Sequence, residues 1–299
     1  MVAIIQKLLP IFFVFFAAFA VKQSRILLPK HGEQLLKLAF FVTIPPLVFV
    51  SALRLQLSAH LSVFLVLPVV LALASFAVGR LALRGRALPP HKRAVLLSAP
   101  MAVNSGFALP FVLALFGSAG AARVVLFNAV NNPILFIWVY ALVAAHHQPR
   151  AGQVAKRVLL SPPLWALALG LVGNALGLRL EHHVASALLG IGNLTSWLII
   201  AGLGLLFAPK RDHFRGALYI AVVRIGLGLL VGTAVVFLWH LHGIDRAAVL
   251  LLAAAPVGFN LITFTAVEQA DTALAASAVS YSLLFALVLA PFIVWLASA

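Results

Sequence analysis

Ala-Pro-x-x-x-Asn occurs twice in this chain, as Ala99-Pro100-Met101-Ala102-Val103-Asn104 and as Ala255-Pro256-Val257-Gly258-Phe259-Asn260, each time inside an apolar run. A proline within a helix removes one backbone hydrogen bond and clashes with the carbonyl four residues earlier, here those of Leu96 and Leu252. In hydrocarbon the freed groups are tolerated only where protein or a water-lined cavity satisfies them again. Proline and asparagine four apart share one helical face, so each carboxamide sits just beyond a break. A carboxamide offers donors and an acceptor, and can hold a carboxylate or polarise a water without being charged. Two such breaks, one in each half, form the pattern of a membrane carrier's binding site.

The surroundings of each break sharpen this. Pro100 and Pro110 bracket Asn104-Ser105-Gly106, which predicts a short extended stretch between two half-helices. The N-terminus of the second half-helix then aims N–H groups and a partial positive charge at the gap, favouring an anion. The plainer alternative is a kinked span whose Asn104 bonds a neighbouring backbone group. In the second copy Gly258 and Asn260 follow Pro256; if both breaks cross near the midplane, Asn104 and Asn260 face one small polar volume. Asn128, Asn131 and Asn132, just before Pro133, either line that volume or bind helices together. Arg224, several residues inside an apolar run, either attracts an anionic substrate or snorkels to the interface, and snorkelling is the simpler reading.

Other chemistries find little support. The six acidic residues, Glu33, Glu181, Asp212, Asp245, Glu268 and Asp271, all avoid the centres of apolar runs. A cation antiporter usually needs an intramembrane carboxylate, and none is offered here. There is no His-Glu-x-x-His, no Gly-x-Ser-x-Gly and no pair of mid-membrane aspartates, which argues against an enzyme. The absence of cysteine excludes disulfides and thiolate metal sites. His146-His147 and His182-His183 fall in loops, where solvation accounts for them, and neither a metal nor a cofactor is expected.

The elements that must position the asparagines follow from hydropathy. With 64% hydrophobic and 9% charged residues, the 299-residue chain reads as an all-α membrane protein. Ten apolar segments run approximately 2–21, 34–52, 61–78, 94–116, 122–145, 163–178, 186–207, 217–239, 247–267 and 274–297. A polar stretch near the midpoint divides them into residues 1–146, a cytoplasmic linker 147–157, and residues 158–299. An odd number of spans per half inverts the second half relative to the first. Fifteen Lys and Arg fall in the loops after segments one, three, five and seven, against four on the other side: Arg54, Arg123, Arg179 and Arg246. By the positive-inside rule those four loops are cytoplasmic and both termini lie outside. The net charge of +15 thus suits anionic lipid headgroups rather than nucleic acid. Lys7 ahead of an apolar run and Ala18-Phe19-Ala20 loosely imitates a signal peptide, but removing that segment would spoil the five-plus-five pattern.

Several of these residues also resemble a known family. Asn104-Ser105-Gly106-Phe107-Ala108-Leu109-Pro110, followed by Phe116-Gly117, is similar to the fourth-helix signature of the auxin efflux carriers, approximately Asn-Thr-Gly-Phe-x-Gly-x-Pro before a Phe-Gly turn. Ala255-Pro256-Val257-Gly258 resembles their ninth-helix crossover, Pro45-Pro46-Leu47 an element of the second helix, and Arg224 an arginine of the eighth. Ala108, Val48 and Gly226 depart from the family pattern, and the long cytoplasmic loop of plant members is missing. The resemblance implies ten helices in two inverted five-helix repeats, with helices four and nine broken and crossing, as in the NhaA/bile-acid-symporter-like elevator fold. By analogy helices one, two, six and seven form the scaffold, while three to five and eight to ten move. Its members carry organic anions: auxin in plants, small carboxylates such as malate or malonate in bacteria.

These readings together predict a multi-pass transporter of the cell (inner) membrane for a small organic anion. Asn104, Ser105, Gly106, Gly258, Asn260, Asn131 and Asn132 would bind it, and Pro100, Pro110 and Pro256 would keep the helices broken. The expected partners are the substrate and membrane lipids, with a homodimer open as the assembled state. The alternatives are a sodium-coupled carrier of the bile-acid symporter type and a membrane sensor or scaffold without turnover.

Overall fold

The computed structural model describes residues 2–54, 59–144 and 162–298; the linker 147–157, with the His146-His147 pair, lies outside the described residues. Among these residues every regular element is helical, and helix occupies each of the ten apolar segments. Six helical stretches are long and apolar enough to cross a membrane: Pro29–Leu53, Val63–Ala82, Ser105–Val143, His182–Leu206, Arg211–Leu238 and Thr272–Trp295. Two shorter apolar helices, Leu9–Gln23 and Trp165–Ala175, accompany them.

The chain divides into two compact units, each drawing on both halves of the sequence. The first comprises Met1–Leu61, Gly106–Leu126 and Leu160–Phe207. It contains α1 (Val2–Gln23), α2 (Pro29–Leu38) and α3 (Ile44–Leu53). A π-turn over Ala39–Thr43 joins α2 to α3. This turn precedes Pro45-Pro46, which supply no N–H to the carbonyls before them, and the Ile44 N–H bonds the Ala39 carbonyl five residues back. Helix α2 starts at Pro29, where proline's fixed φ suits the first helical position. The Leu28 N–H is taken by His31 Nδ1 at 2.9 Å. That start lies five residues before the predicted one because the first turns, with Lys30, Glu33 and Lys37, are amphipathic rather than uniformly apolar.

With no hydrophobic drive between helices in lipid, packing and polar contacts hold such a unit together. Later in the chain it contains α8 (Pro162–Ala175), packed on α3, and α9 (His182–Leu206), packed on α1, α2 and α3. Thr43 and Thr195 share a buried hydrogen bond of 2.7 Å, and Asn174 Nδ2 donates to the Ala52 and Leu53 carbonyls at 3.1 and 2.8 Å, closing the end of α3.

The second unit comprises Ser62–Ser105, Phe127–Leu159 and Ala208–Ala299. Its elements in the first half are α4 (Val63–Ala82), α5 (Pro90–Ser98) and α7 (Tyr140–Val143). In the second half they are α10 (Phe214–Ala221), α11 (Gly228–Leu238), α12 (Gly243–Ala253), α13 (Asn260–Val267) and α14 (Thr272–Ser298). Its core gathers Leu96, Met101, Ile220, Val257, Leu261, Phe264 and Val279, from segments on both sides of the sequence midpoint.

Helix α6 (Ser105–Pro133) belongs to the first unit over Gly106–Leu126 and to the second at its two ends, and it is interrupted at Gly117, with φ 58° and ψ −147°. That conformation is closed to residues carrying a Cβ, which explains a glycine at the predicted Phe-Gly turn between segments four and five. Gly117→Ala is expected to destabilise the protein by about 1–3 kcal/mol, read as a lower melting temperature of the detergent-solubilised chain. An unchanged melting temperature would show that the turn is not held in this conformation.

Candidate functional site

Following the backbone hydrogen bonds through the two breaks defines the site. Helix α5 tightens into a 3-10 turn at Ala99–Met101, and the chain then runs without helix from Ala102 to Asn104 before α6 begins at Ser105. Helix α12 ends at Ala253, and the chain stays open until α13 begins at Asn260. The two open stretches pair with each other: Val103 and Val257 form an antiparallel bridge. In it the Asn104 N–H donates to the Pro256 carbonyl at 2.9 Å, and the Gly258 N–H donates to the Ala102 carbonyl at 2.7 Å.

In a continuous helix the Asn104 N–H would bond the Pro100 carbonyl and the Val257 N–H the Ala253 carbonyl. Here both donors are taken elsewhere, the second by Ser282 Oγ at 3.0 Å. The abandoned carbonyls fall to Arg224. Its Nη2 donates to Ala253 at 2.6 Å, its Nε to Ala255 at 3.0 Å and its Nη1 to Pro100 at 3.4 Å. A guanidinium carries five N–H donors and no acceptor, which suits a cluster of orphaned carbonyls. Arg224 is 0% exposed, so it does not snorkel to the interface as the sequence reading favoured. The reason is local: three carbonyls within the protein offer it what headgroups would otherwise provide.

A π-turn over Val222–Leu227 carries Arg224, and Gly228 follows one turn later. A Cβ at Gly228 would collide with the Ala253 carbonyl oxygen, so only glycine lets this helix come close enough for the arginine to reach.

The predicted site residues gather unevenly. Asn104 is 4% exposed and Ser105 is buried, its hydroxyl donating to Asn128 Oδ1 at 2.6 Å. Asn131, 2% exposed, reaches the Val103 carbonyl with Nδ2 at 3.5 Å. Two of the three amides of segment five therefore engage the first break, while Asn132, next along, is half-buried. Asn260 is half-buried at the first position of α13, two residues past Gly258 and the bridge. Gly106 is the second residue of α6. Pro110 lies further along the same helix, so the break closes before reaching it; there Pro110 withholds an N–H from the Gly106 carbonyl. Pro100 lies in the 3-10 turn and Pro256 in the open stretch itself.

Ser282 is the residue that sequence reasoning missed. Its hydroxyl accepts from Val257 and donates to the Val279 carbonyl at 3.1 Å, and its side chain is fully buried. The signal available was the Ser280-Tyr281-Ser282 interruption of an otherwise apolar run. The carboxylates lie elsewhere: Glu268 caps the end of α13 and accepts from the Tyr140 hydroxyl, and Asp271 accepts the Leu274 N–H at the start of α14 at 2.9 Å.

Two comparisons bear on this arrangement. Residues 3–294 match the profile of a family described as Membrane transport protein. An uncharacterized transporter of Methanothermobacter thermautotrophicus is 25% identical over 293 residues, which cover 96% of each chain.

Ser282→Ala leaves the buried Val257 N–H without its acceptor and is expected to cost about 1–3 kcal/mol. Thermal unfolding of the purified variant measures this, and a stability equal to wild type would remove Ser282 from the crossover's support.

Proposed function

The chain belongs to the membrane transport protein family, that of the auxin efflux carriers, and we propose that it is a secondary carrier of a small organic anion, with a carboxylate as the bound group. The observation supporting this reading most directly is the antiparallel pairing of two broken helices at Val103 and Val257. Beyond that pairing two helices restart at Ser105 and Asn260. Their N-terminal N–H groups and partial positive charge favour an anion, as in discontinuous-helix transporters. Asn104 and Asn260 would hydrogen-bond the carboxylate, Ser105, Gly106 and Gly258 would present backbone, and Asn131 and Asn132 would complete the lining. Dipoles and amides hold an anion with modest affinity, which favours release on the far side.

In this reading the ten helical segments form two inverted five-helix repeats, residues 1–146 and 158–299. The unit holding both breaks carries the substrate in an elevator mechanism, and the other unit is the scaffold. What supports the division is that the unit with both breaks contains α4, α5 and α10 to α14, while α1 to α3, α8 and α9 belong to the other. The pieces between Gly106 and Leu126, which the family analogy assigns to the moving part, fall with α1 to α3. The excess of Lys and Arg in the loops after odd-numbered segments supports a bacterial-type inner-membrane orientation with both termini outside.

Flux of small radiolabelled mono- and dicarboxylates into proteoliposomes tests the function. Asn104→Leu is expected to abolish wild-type flux while shifting the melting temperature little, because the backbone N–H that holds the bridge is retained. Undiminished flux removes Asn104 from the site. Pro256→Ala restores a backbone donor and lets α12 run on, so flux is expected to fall at least about tenfold; wild-type flux would show that this break has no part in transport. Carboxylate binding to the wild type with no flux would turn the reading toward a sensor, and loss of flux on replacing sodium by choline would mark a sodium-coupled carrier.

A further inference from the structure

Arg224 carries a charge that nothing among its hydrogen-bond partners matches. The acceptors at Pro100, Ala253 and Ala255 are all neutral carbonyls. The acidic residues of the same unit sit at helix ends: Asp212 in the 3-10 turn Arg211–His213, Asp245 in the first turn of α12, Glu268 at the end of α13 and Asp271 before α14. A guanidinium does not give up its proton in a protein, so burial leaves a full positive charge inside this unit. Carbonyls at two helix ends offset that charge in part, and an anion bound nearby would offset the remainder.

The crossover lies one peptide away. Nε of Arg224 holds the Ala255 carbonyl, and the next carbonyl, that of Pro256, accepts the Asn104 N–H. Arg224 is therefore next to the bridge along the backbone, with three of its five donors engaged by protein carbonyls.

Resting on the crossover as the substrate site, we infer that Arg224 is the specificity-determining residue for substrate sign. It favours a carboxylate over a neutral isostere by its field, without contacting the substrate. The asparagines supply hydrogen bonds that a carboxamide would satisfy equally well, because they donate and accept alike. Beyond the partial charge of the two helix starts, which substitutions at residue 224 leave in place, the discrimination between anion and neutral analogue falls to the fixed charge.

The test uses the full-length chain in detergent micelles, with benzoate against benzamide and butyrate against butyramide. Ligand-induced thermal stabilisation measures each affinity. Wild type is expected to prefer each carboxylate over its amide. In Arg224→Gln the preference falls by about tenfold or more, the order expected when one unit charge is removed within about 10 Å of a shielded site. Arg224→Lys keeps the preference within about twofold of wild type while melting lower, since an ammonium preserves charge but not the guanidinium fork. Structural damage alone would weaken acid and amide together and leave their ratio unmoved. A folded Gln variant retaining the wild-type ratio overturns the assignment. Should the Gln variant fail to fold, Arg224→Met, which fills similar volume without a charge, is read in its place: a lowered ratio supports the assignment and a kept one overturns it. Wild type that binds none of the carboxylates overturns the organic-anion reading itself, a different failure from a ratio insensitive to residue 224.

Discussion

Backbone polar groups freed inside an apolar surround must find partners within the protein, and this requirement organises the second compact unit. Breaking one helix at residue 102 strands donors and acceptors that water would satisfy at a surface but lipid does not. The remedy is a second break. Asn104 and Gly258 donate across the gap to Pro256 and Ala102, so each interruption is viable because the other exists. Four further groups complete the arrangement: Arg224 takes three carbonyls, Ser282 the Val257 N–H, Asn131 the Val103 carbonyl, and Asn128 the Ser105 hydroxyl.

Helix polarity gives this arrangement its chemistry. The first half-helix of each broken pair ends in carbonyls, and the second begins in N–H groups. Arg224 gathers on the carbonyl side, reaching both the Pro100 turn and the end of α12. The half-helix starts at Ser105 and Asn260 are left with small and amide side chains. A polar centre is thereby divided into a face satisfied by the protein's own cation and a face furnished with donors. That separation is what the proposed anion site rests on.

The parts of this legible in the sequence are those where a residue type has one physical consequence. The apolar runs announce the helices, and the chain is open around Pro100 and Pro256, whereas Pro110 sits inside α6; the turn at Phe116-Gly117 follows from the family resemblance. Arg224 was harder. A long cationic side chain near a helix end reaches water in most settings, and only the partner carbonyls, 29, 31 and 124 residues away in sequence, reverse that outcome. Ser282 is harder still, since a serine in a membrane helix usually bonds its own preceding turn, and this one does so as well as serving Val257. The π-turns at Ala39–Thr43, Ile134–Val139 and Val222–Leu227 leave no periodicity to read at all. Contacts between distant segments are what hydropathy and spacing do not encode.

The bridge between Val103 and Val257 also has a consequence for biosynthesis. Its two strands are made about 150 residues apart, and at about 5–20 residues per second the earlier one waits roughly 10–30 s for the later. Throughout that interval the peptide groups around Ala102 and Asn104 have no native partner, so the nascent first half must keep them hydrated or sheltered rather than release them into lipid. Emergence of the Pro256 segment supplies those partners, and the Ser282 segment, made 25 residues after Val257, is needed before every group of the crossover is satisfied.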